Sequence, residues 1–332
     1  FSNESGFYAE NLKAKLFNRS IKGSARTDNF GGSRVVLLNM EGSVGSDDAY
    51  KWTGQPLLYK TSGDLNYDLN LYFPLDEKSG DLKIEFLSNL VGLKSYLPQP
   101  FDKSESSLET IFKYKKILKG SEAVTDLTFG DSFRAKLKFK EGSIVGGQVE
   151  FSEGYETLNA DLPLEIKGTL KNLNIDRWIS TLSDFPEFGT SENSFDYNIR
   201  FGEANIRAEN LVVGGISFAN TKIGITRNLD SWISHFKNQR LIGQLEFSDK
   251  KSKPISIHLD KLVLDSIPAS NHFLPRNDKQ SIISKYNFSG DLISISANEF
   301  KDVSFLYSKR NYQSELTQLS ATVGPLSIDN ST

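Results

Sequence analysis

Strict alternation of apolar and polar residues runs through the stretch from Ser194 to Ile225. Phe195, Tyr197 and Ile199 begin a run in which every second residue is apolar. Side chains of a β-strand point alternately to its two faces, so this period of two predicts strands with one apolar and one polar face. Only short turns rich in Gly, Asn or Glu separate the runs, which predicts an antiparallel meander.

The same pattern recurs along the chain, for example over 64–74, 133–139 and 241–247, and no long linker interrupts it. It predicts a mainly β fold of about twenty strands, which at ~4.8 Å per strand would extend roughly 95 Å. Because strands twist against one another, such a sheet closes, splits into a sandwich or runs as a curved gutter. We interpret residues 1–332 as one continuous, elongated β-groove segment of a longer protein, formed by a long, curved, twisted antiparallel sheet.

Two segments, 174–185 and 228–238, share the pattern N-[I/L]-D-x-W-I-S-x-[L/F]. An Asp near each start and apolar residues at roughly helical spacing predict two short helices that interrupt the sheet. They are either two unrelated capped helices or parts of a repeated sheet-plus-lid unit. In both cases we expect Trp178 and Trp232 to pack on the apolar face as lids. Segments 96–108 and 265–280 contain Pro and polar residues and are expected to be mobile loops.

Composition excludes several functional classes. The net charge is −3, with 39 basic and 42 acidic residues and no cationic block, which argues against a nucleic-acid partner. The chain has no Cys, which excludes thiol catalysis and disulfides. No apolar run approaches the ~20 residues that span a bilayer. The chain starts at Phe1 and its one Met is Met40, so we expect any anchor or export signal to lie outside this piece.

The residues offer no catalytic constellation. The spacings of His235, His258 and His272 match no metal motif, and Gly130-Asp131-Ser132 leads directly into a strand and predicts a tight turn. Neither a G-x-S-x-G elbow nor a P-loop is present. A hydrolase that uses paired carboxylates has little support, because most carboxylates alternate with apolar residues. We therefore expect no enzyme, no cofactor and no metal.

So much one-sided strand surface predicts a binding trough for hydrocarbon, since exposed apolar surface of that size marks a binding site. Moving an acyl chain from water onto such a surface contributes about 0.8 kcal/mol per CH₂, so acyl chains are the expected ligand. The candidate lining residues are Leu65, Tyr67, Leu69, Leu71, Leu82, Ile84, Phe86, Phe133, Leu137, Phe139, Phe195, Tyr197, Ile199, Phe201, Ile206, Ile223, Ile225, Leu245, Phe247, Ile257 and Leu259.

Three groups of residues carry a family resemblance. Leu97-Pro98-Gln99-Pro100 followed by Lys103 resembles the Leu-Pro-x-Pro…Lys crossover of the AsmA-like YhdP family. The run from Gly168 to Trp178 resembles that family's strand-into-helix step, and 243–264 its later hairpin. These matches follow the family's order over roughly residues 60–265. Ser104-Glu105 departs from the family, which tends to have Pro or Gly at these positions of the crossover.

The resemblance implies a bridge-like protein of the Gram-negative periplasm, anchored in the inner membrane by a helix outside this piece. It implies that a β-groove carries phospholipid towards the outer membrane and supports the permeability barrier. The expected partners are phospholipid acyl chains, and membranes through regions outside this piece. The alternative is a structural or adhesive β-domain that binds protein or glycan with its outer face.

Overall fold

The computed structural model describes residues 6–30, 32–75, 80–151, 157–184, 200–248, 253–266, 284–310 and 313–330. Within them the chain forms twenty strands assigned to one extended sheet, together with two α-helices and one 3₁₀ helix. The prediction of a mainly β fold built on a large sheet is confirmed. The chain divides into two compact units, which are residues 1–165 with 181–200, and residues 166–180 with 201–332. The single continuous groove over residues 1–332 stays a prediction.

Unit 1 consists of antiparallel strands that are mostly joined by tight turns. Its strands are β1 (Tyr8–Leu16), β2 (Arg19–Phe30), β3 (Ser33–Gly45), β4 (Thr61–Pro74), β5 (Leu82–Ser88), β6 (Leu93–Ser95), β7 (Phe112–Lys119), β8 (Glu122–Phe129), β9 (Phe133–Lys140) and β10 (Ser143–Phe151). Each pairs with its sequence neighbour, except that β5 passes over the short β6 to pair with β7, and β6 pairs with the start of β4. Helix α1 (Ser46–Thr53) and a 3₁₀ helix (Pro56–Lys60) connect β3 to β4.

Unit 2 continues the meander, with one reversal of direction. Its strands are β12 (Phe201–Val213), β13 (Ile216–Arg227), β14 (Ser231–Lys237), β15 (Leu241–Ser248), β16 (Ile255–Leu264), β17 (Ser284–Ile295), β18 (Asn298–Arg310), β19 (Gln313–Val323) and β20 (Leu326–Asn330). Strands β16 and β17 pair in parallel, whereas the other described pairs of this unit are antiparallel. A parallel pair needs a crossover of a dozen or more residues, which the chain between Leu264 and Ser284 provides. Strand β11 (Leu164–Asn174) and helix α2 (Ile175–Ser183) span the boundary between the units.

One of the two predicted helices is correct and the other is wrong. Helix α2 lies within the predicted 174–185, and the side chain of Asn174 accepts a hydrogen bond from the backbone N–H of Arg177 at 2.8 Å. The predicted helix at 228–238 is strand β14, which pairs along its whole length with β13 and β15. An isolated helix of so few residues is marginal in water, while two flanking ladders satisfy every backbone group of the segment.

The predicted loops have different outcomes. Residues 96–108 contain no helix or strand, as expected for a crossover, and a single bridge joins Ser95 to Lys103. Their mobility stays a prediction. Most of the predicted loop at 265–280 lies outside the described residues.

Each unit has its own buried cluster. In unit 1, Val44, Leu65, Tyr67, Leu90 and Leu93 pack where the segment after β5 folds back on the sheet. In unit 2 the cluster is larger, and Leu173 and Ile175 pack against it where β11 runs into α2. Its buried members are Ala208, Leu211, Phe218, Ile223, Leu241, Leu259 and Leu264. Among the described residues, more side chains are therefore buried around β12 and β13 of unit 2 than around β7 to β9 of unit 1.

Candidate functional site

The strand register of unit 1 aligns apolar side chains into continuous rows. We call a row of directly paired residues a rung, because paired residues of neighbouring strands share one face of the sheet. The first rung is Phe112, Phe129, Phe133 and Phe151. The second is Met40, Leu69, Phe86, Tyr114, Leu127, Ala135 and Val149. The third is Leu38, Leu71, Ile84, Lys116, Thr125, Leu137 and Gly147. The fourth is Leu82, Leu118, Ala123, Phe139 and Ile144.

These four rungs form what we call the unit 1 apolar face. It spans roughly 20 Å along a strand and about 29 Å across seven strands. Leu69, Phe86, Leu127 and Leu137 lie in its middle, and each keeps part of its surface accessible. A second sheet packed on this face would bury such residues almost completely. The unit 1 face is therefore not the inside of a sandwich among the residues described.

The segment from Leu97 to Lys103 closes one end of this face. The Phe101 ring lies 4.9 Å from the Phe133 ring and 5.6 Å from the Phe129 ring, centre to centre, so it covers part of the first rung. Leu97 is buried beside this contact. The fourth rung lies at the other end of the strands, six residues away along β9. The two edges of the face therefore differ, and the crossover covers only the first rung.

Lys103 holds the crossover in place. Its side chain is only 2% exposed, and its ammonium group donates hydrogen bonds to the carbonyls of Leu93, Glu105 and Ser106 at 2.7, 2.9 and 3.2 Å. Burial lowers the pKa of Lys103 below its ordinary value. A buried ammonium needs this many acceptors, because an unpaired one would cost several kcal/mol. The role of Lys103 here is structural.

The opposite face of unit 1 is polar, and its charges are largely paired. Arg134 pairs with Glu150, and the ammonium of Lys138 lies 3.5 Å from Glu122 and 3.1 Å from Asp161. Lys83 is 6% exposed, lies between the rings of Phe30 and Tyr72, and approaches Glu85 at 2.7 Å. Burial acts to raise the pKa of Glu85, but the hydrogen bond and charge of Lys83 outweigh it, so that this pKa is lowered. Most of the charges on this face are therefore paired, and Leu37, Lys83 and Glu150 on the same face are buried.

A concavity of about 520 Å³ lies mainly on this polar side of β2 to β5. Lys22, Glu41 and Asp68, which are directly paired across three strands, contribute to its lining. Ser20, Ser43 and Ser88 also contribute to its lining. This concavity and the unit 1 apolar face thus lie mainly on different sides of the sheet, and the apolar face is the better match to hydrocarbon.

Unit 2 has an apolar face of its own. One rung is Ala204, Ile225, Ser234, Leu245, Ile257, Phe288 and Phe305, and the next is Ile206, Ile223, Phe236, Gly243, Leu259, Gly290 and Val303. The rings of Phe288 and Phe305 stack at 4.7 Å. Trp232 packs edge-on against Phe201 at 4.8 Å and stacks on Phe247 at 6.3 Å. Trp232 therefore lies in strand β14 and belongs to this face of the sheet. The prediction that it lies on a helix and acts as a lid is wrong.

Most of the predicted lining residues fall on these faces. Eight of them belong to the four rungs of the unit 1 apolar face, and Leu65 and Tyr67 lie on the same side of β4, buried under the segment after β5. Ile206, Ile223, Ile225, Leu245, Ile257 and Leu259 share the unit 2 face. Phe195, Tyr197 and Ile199 lie outside the described residues. That these side chains bind lipid stays a prediction, as does a lid role for Trp178, which lies half-buried in α2.

Sequence reasoning missed three polar groups on the unit 1 apolar face. Lys116 and Thr125 are neighbours in the third rung, and Tyr114 lies beside them in the second. Burial raises the pKa of Tyr114, and a hydrogen bond with Thr125 partly opposes this. Alternation along FKYKKILK already places Phe112, Tyr114, Lys116 and Leu118 on one side, so the signal was present.

His258 lies on the polar face of unit 2. Its Nε2 is 3.1 Å from a carboxylate oxygen of Asp260 and 4.0 Å from one of Asp291, and its Nδ1 is 2.8 Å from the Ser289 hydroxyl. The three potential ligand atoms lie within 4.8 Å of one another, and both carboxylates are exposed. Exposed acidic groups beside a His are common without a metal, and this cluster has no further ligand aimed at it among the residues described.

A family model described as YhdP protein matches residues 1–330. The chain belongs to the YhdP family. This is a family of Gram-negative envelope proteins, and membership agrees in general terms with bridge-like lipid transport. Neither the curated proteins nor the solved structures include a match to this chain. None of the helices in the described residues has the length and hydrophobicity to cross a bilayer.

Proposed function

We propose that this chain is a non-enzymatic segment of a periplasmic phospholipid carrier, and that the unit 1 apolar face holds acyl chains during transfer between the inner and outer membranes. In this proposal a helix outside residues 1–332 anchors the protein in the inner membrane, and transfer supports the outer-membrane permeability barrier. Membership of the YhdP family supports the proposal. The observation that carries it is the mostly apolar second and third rungs, which continue across seven strands and keep most of their side chains partly accessible.

The geometry suits a hydrocarbon chain for a physical reason. A ligand that lies along a rung crosses strands and meets one apolar side chain every ~4.8 Å. Each methylene removed from water contributes about 0.8 kcal/mol, so about ten methylenes contribute roughly 8 kcal/mol before the entropy of association is subtracted. On the opposite face a hydrocarbon chain would have to cover charged groups that pair with one another, which is costly.

Photo-crosslinking tests this proposal. The protein is mixed with phosphatidylglycerol vesicles that contain a trace of lipid with a diazirine in its acyl chain, and crosslinked lipid is counted by mass spectrometry. Leu137→Asp places a carboxylate in the third rung and should reduce crosslinking at least tenfold, because burying an unpaired charge is costly. Lys136→Gln is the control, because it changes the charge by the same amount on the opposite face.

Equal crosslinking of the wild type and Leu137→Asp, with both folded by circular dichroism, would remove the unit 1 apolar face as the site. Equal loss in Leu137→Asp and Lys136→Gln would show that net charge, and not the apolar face, governs the contact. Mapping the crosslinked peptides adds a positive criterion. They should come from β4 to β9 and carry modified residues of the second and third rungs.

A further inference from the structure

A single cation interrupts the unit 1 apolar face. Lys116 is paired directly with Ile84 on one side and Thr125 on the other, in a rung whose other members are Leu38, Leu71, Leu137 and Gly147. Along β7 its neighbours on the same face are Tyr114 and Leu118. Lys116 is half-buried, so its methylene stem covers hydrocarbon surface while the ammonium group keeps some contact with solvent.

The ammonium group of Lys116 has an aromatic neighbour but no carboxylate beside it. Its Nζ lies 5.8 Å from the centre of the Phe139 ring, in the fourth rung. No Asp or Glu occurs among the members of the four rungs that the register defines. On the opposite face, by contrast, Arg134 and Lys138 both have acidic partners within the described residues.

Lys116 has no anionic partner among the members of the four rungs, so its ammonium can accept a counter-ion from a ligand. An exposed cation–π contact contributes only about 0.5–1 kcal/mol, which does not replace an anionic partner. Thr125 is directly paired with Lys116 and is hydrogen-bonded to Tyr114 of the second rung. A cation surrounded by hydrocarbon is complementary to a molecule with an anionic head and an apolar tail.

We infer that Lys116 binds the phosphate of the lipid whose acyl chain lies on the unit 1 apolar face, so that this face selects anionic amphiphiles over neutral ones. This inference rests on the proposed function, because it assumes that the chain occupies that face. The tail lies along the second and third rungs, which the crossover leaves uncovered, and the phosphate lies at Lys116 in the third rung, one rung from the open end. Charge complementarity identifies the occupant as a phospholipid, since free phosphate would gain nothing from the surrounding hydrocarbon.

Two probes that differ only in the phosphate test the inference. They are 1-palmitoyl lysophosphatidic acid and 1-palmitoylglycerol, titrated into the protein below their micelle concentrations, with binding followed by intrinsic fluorescence and native mass spectrometry. Lys116→Met keeps the stem and removes the charge. It should weaken binding of the phosphate lipid about tenfold, which is the scale of one lost charge-assisted hydrogen bond. Binding of 1-palmitoylglycerol should be unchanged or tighter.

Two further variants serve as controls. Lys113→Met makes the same chemical change on the same strand but on the opposite, polar face, and should leave both affinities unchanged. Lys116→Arg keeps the charge and should retain at least half of the wild-type preference for the phosphate lipid.

The outcomes separate the inference from the proposed function. If the wild type binds both probes and Lys116→Met leaves their ratio unchanged, the headgroup site is wrong while the apolar face stands. The same conclusion follows if Lys116→Met weakens both probes equally, because the phosphate is then not the group recognised. If the wild type binds neither probe, the proposed function itself fails.

Discussion

Replacing Lys103 with Met should destabilise the packing of the crossover, the segment from Leu97 to Lys103, on the first rung. The variant keeps most of the stem but removes the donor to three backbone carbonyls, those of Leu93, Glu105 and Ser106. An unsatisfied buried polar group costs about 1–3 kcal/mol. Leu93 is 5% exposed, so its carbonyl is the least able to recover a bond from water, whereas Glu105 lies exposed. The expected total is therefore about 2–4 kcal/mol, less than three full penalties.

Urea unfolding and hydrogen exchange measure this effect. A loss of that size lowers the melting temperature by roughly 4–16 °C for a unit of this length. Exchange should accelerate most at the amides of Ser95 and Lys103, which bond to each other's carbonyls at 2.8 and 3.0 Å. Lys94→Met is the matched control, because Lys94 is exposed, and it should change stability by less than about 0.5 kcal/mol. If Lys103→Met and Lys94→Met change the free energy of unfolding and the exchange rates equally, Lys103 does not hold the crossover in place.

Three further predictions concern core packing, the hydrogen bonds from a turn to Asp176, and the dependence of stability on pH. Leu211→Ala removes a side chain with 0% exposure and should cost about 3–5 kcal/mol in urea unfolding, whereas Leu229→Ala, at a position 97% exposed, should cost almost nothing. Asp176→Ala removes the acceptor for the backbone N–H groups of Gly214 and Gly215, both at 2.8 Å, and should cost about 1.5–3 kcal/mol, with faster exchange at those two amides. Because the folded pKa of Glu85 is lowered, the stability it contributes is present above its unfolded pKa of about 4.3 and is lost as pH falls through the folded pKa. Glu85→Gln should therefore be less stable than wild type at pH 7, and the difference should shrink below about pH 4; a constant difference from pH 7 to pH 3 would contradict this reasoning.

Within the described residues, alternation predicted the strands well where it persisted for six or more residues. Leu65, Tyr67, Leu69 and Leu71 lie on one face of β4, as their spacing predicts. Such a run allows only one strand register, because a shift of a single residue would turn every apolar side chain to the other face of the sheet.

The error at β14 has a physical origin in the spacing of its aromatic residues. Trp232 and Phe236 are four residues apart, and a spacing of four fits both a strand and a helix. In α2, Ile175, Trp178, Ile179 and Leu182 follow the three-and-four spacing that only a helix satisfies. In β14 the pairing of Trp232 with Arg227 and Phe247 decides the outcome, and those partners are set by neighbouring strands rather than by the segment itself.

Helix α1 was missed although its end carries a clear signal. Gly54 has φ of +64° and its N–H bonds to the carbonyl of Tyr50, as at many helix ends. Its start has no side-chain cap, and a helix of so few residues has little propensity to detect. That Lys116 faces no carboxylate in its rung could not be predicted, because which side chains a lysine faces depends on register across strands.

The ladder order has a consequence for how the chain folds. Nearly every described strand pairs with a strand adjacent in sequence, so most contacts form by closing short hairpins, which is kinetically inexpensive. Such a chain can begin ordering at several turns and extend outwards from each. The parallel pair β16–β17 is the exception, because it must close over the whole segment between Leu264 and Ser284. The antiparallel hairpins on either side of this pair should form first. Pairing of β16 with β17 should then be the slowest folding step of unit 2.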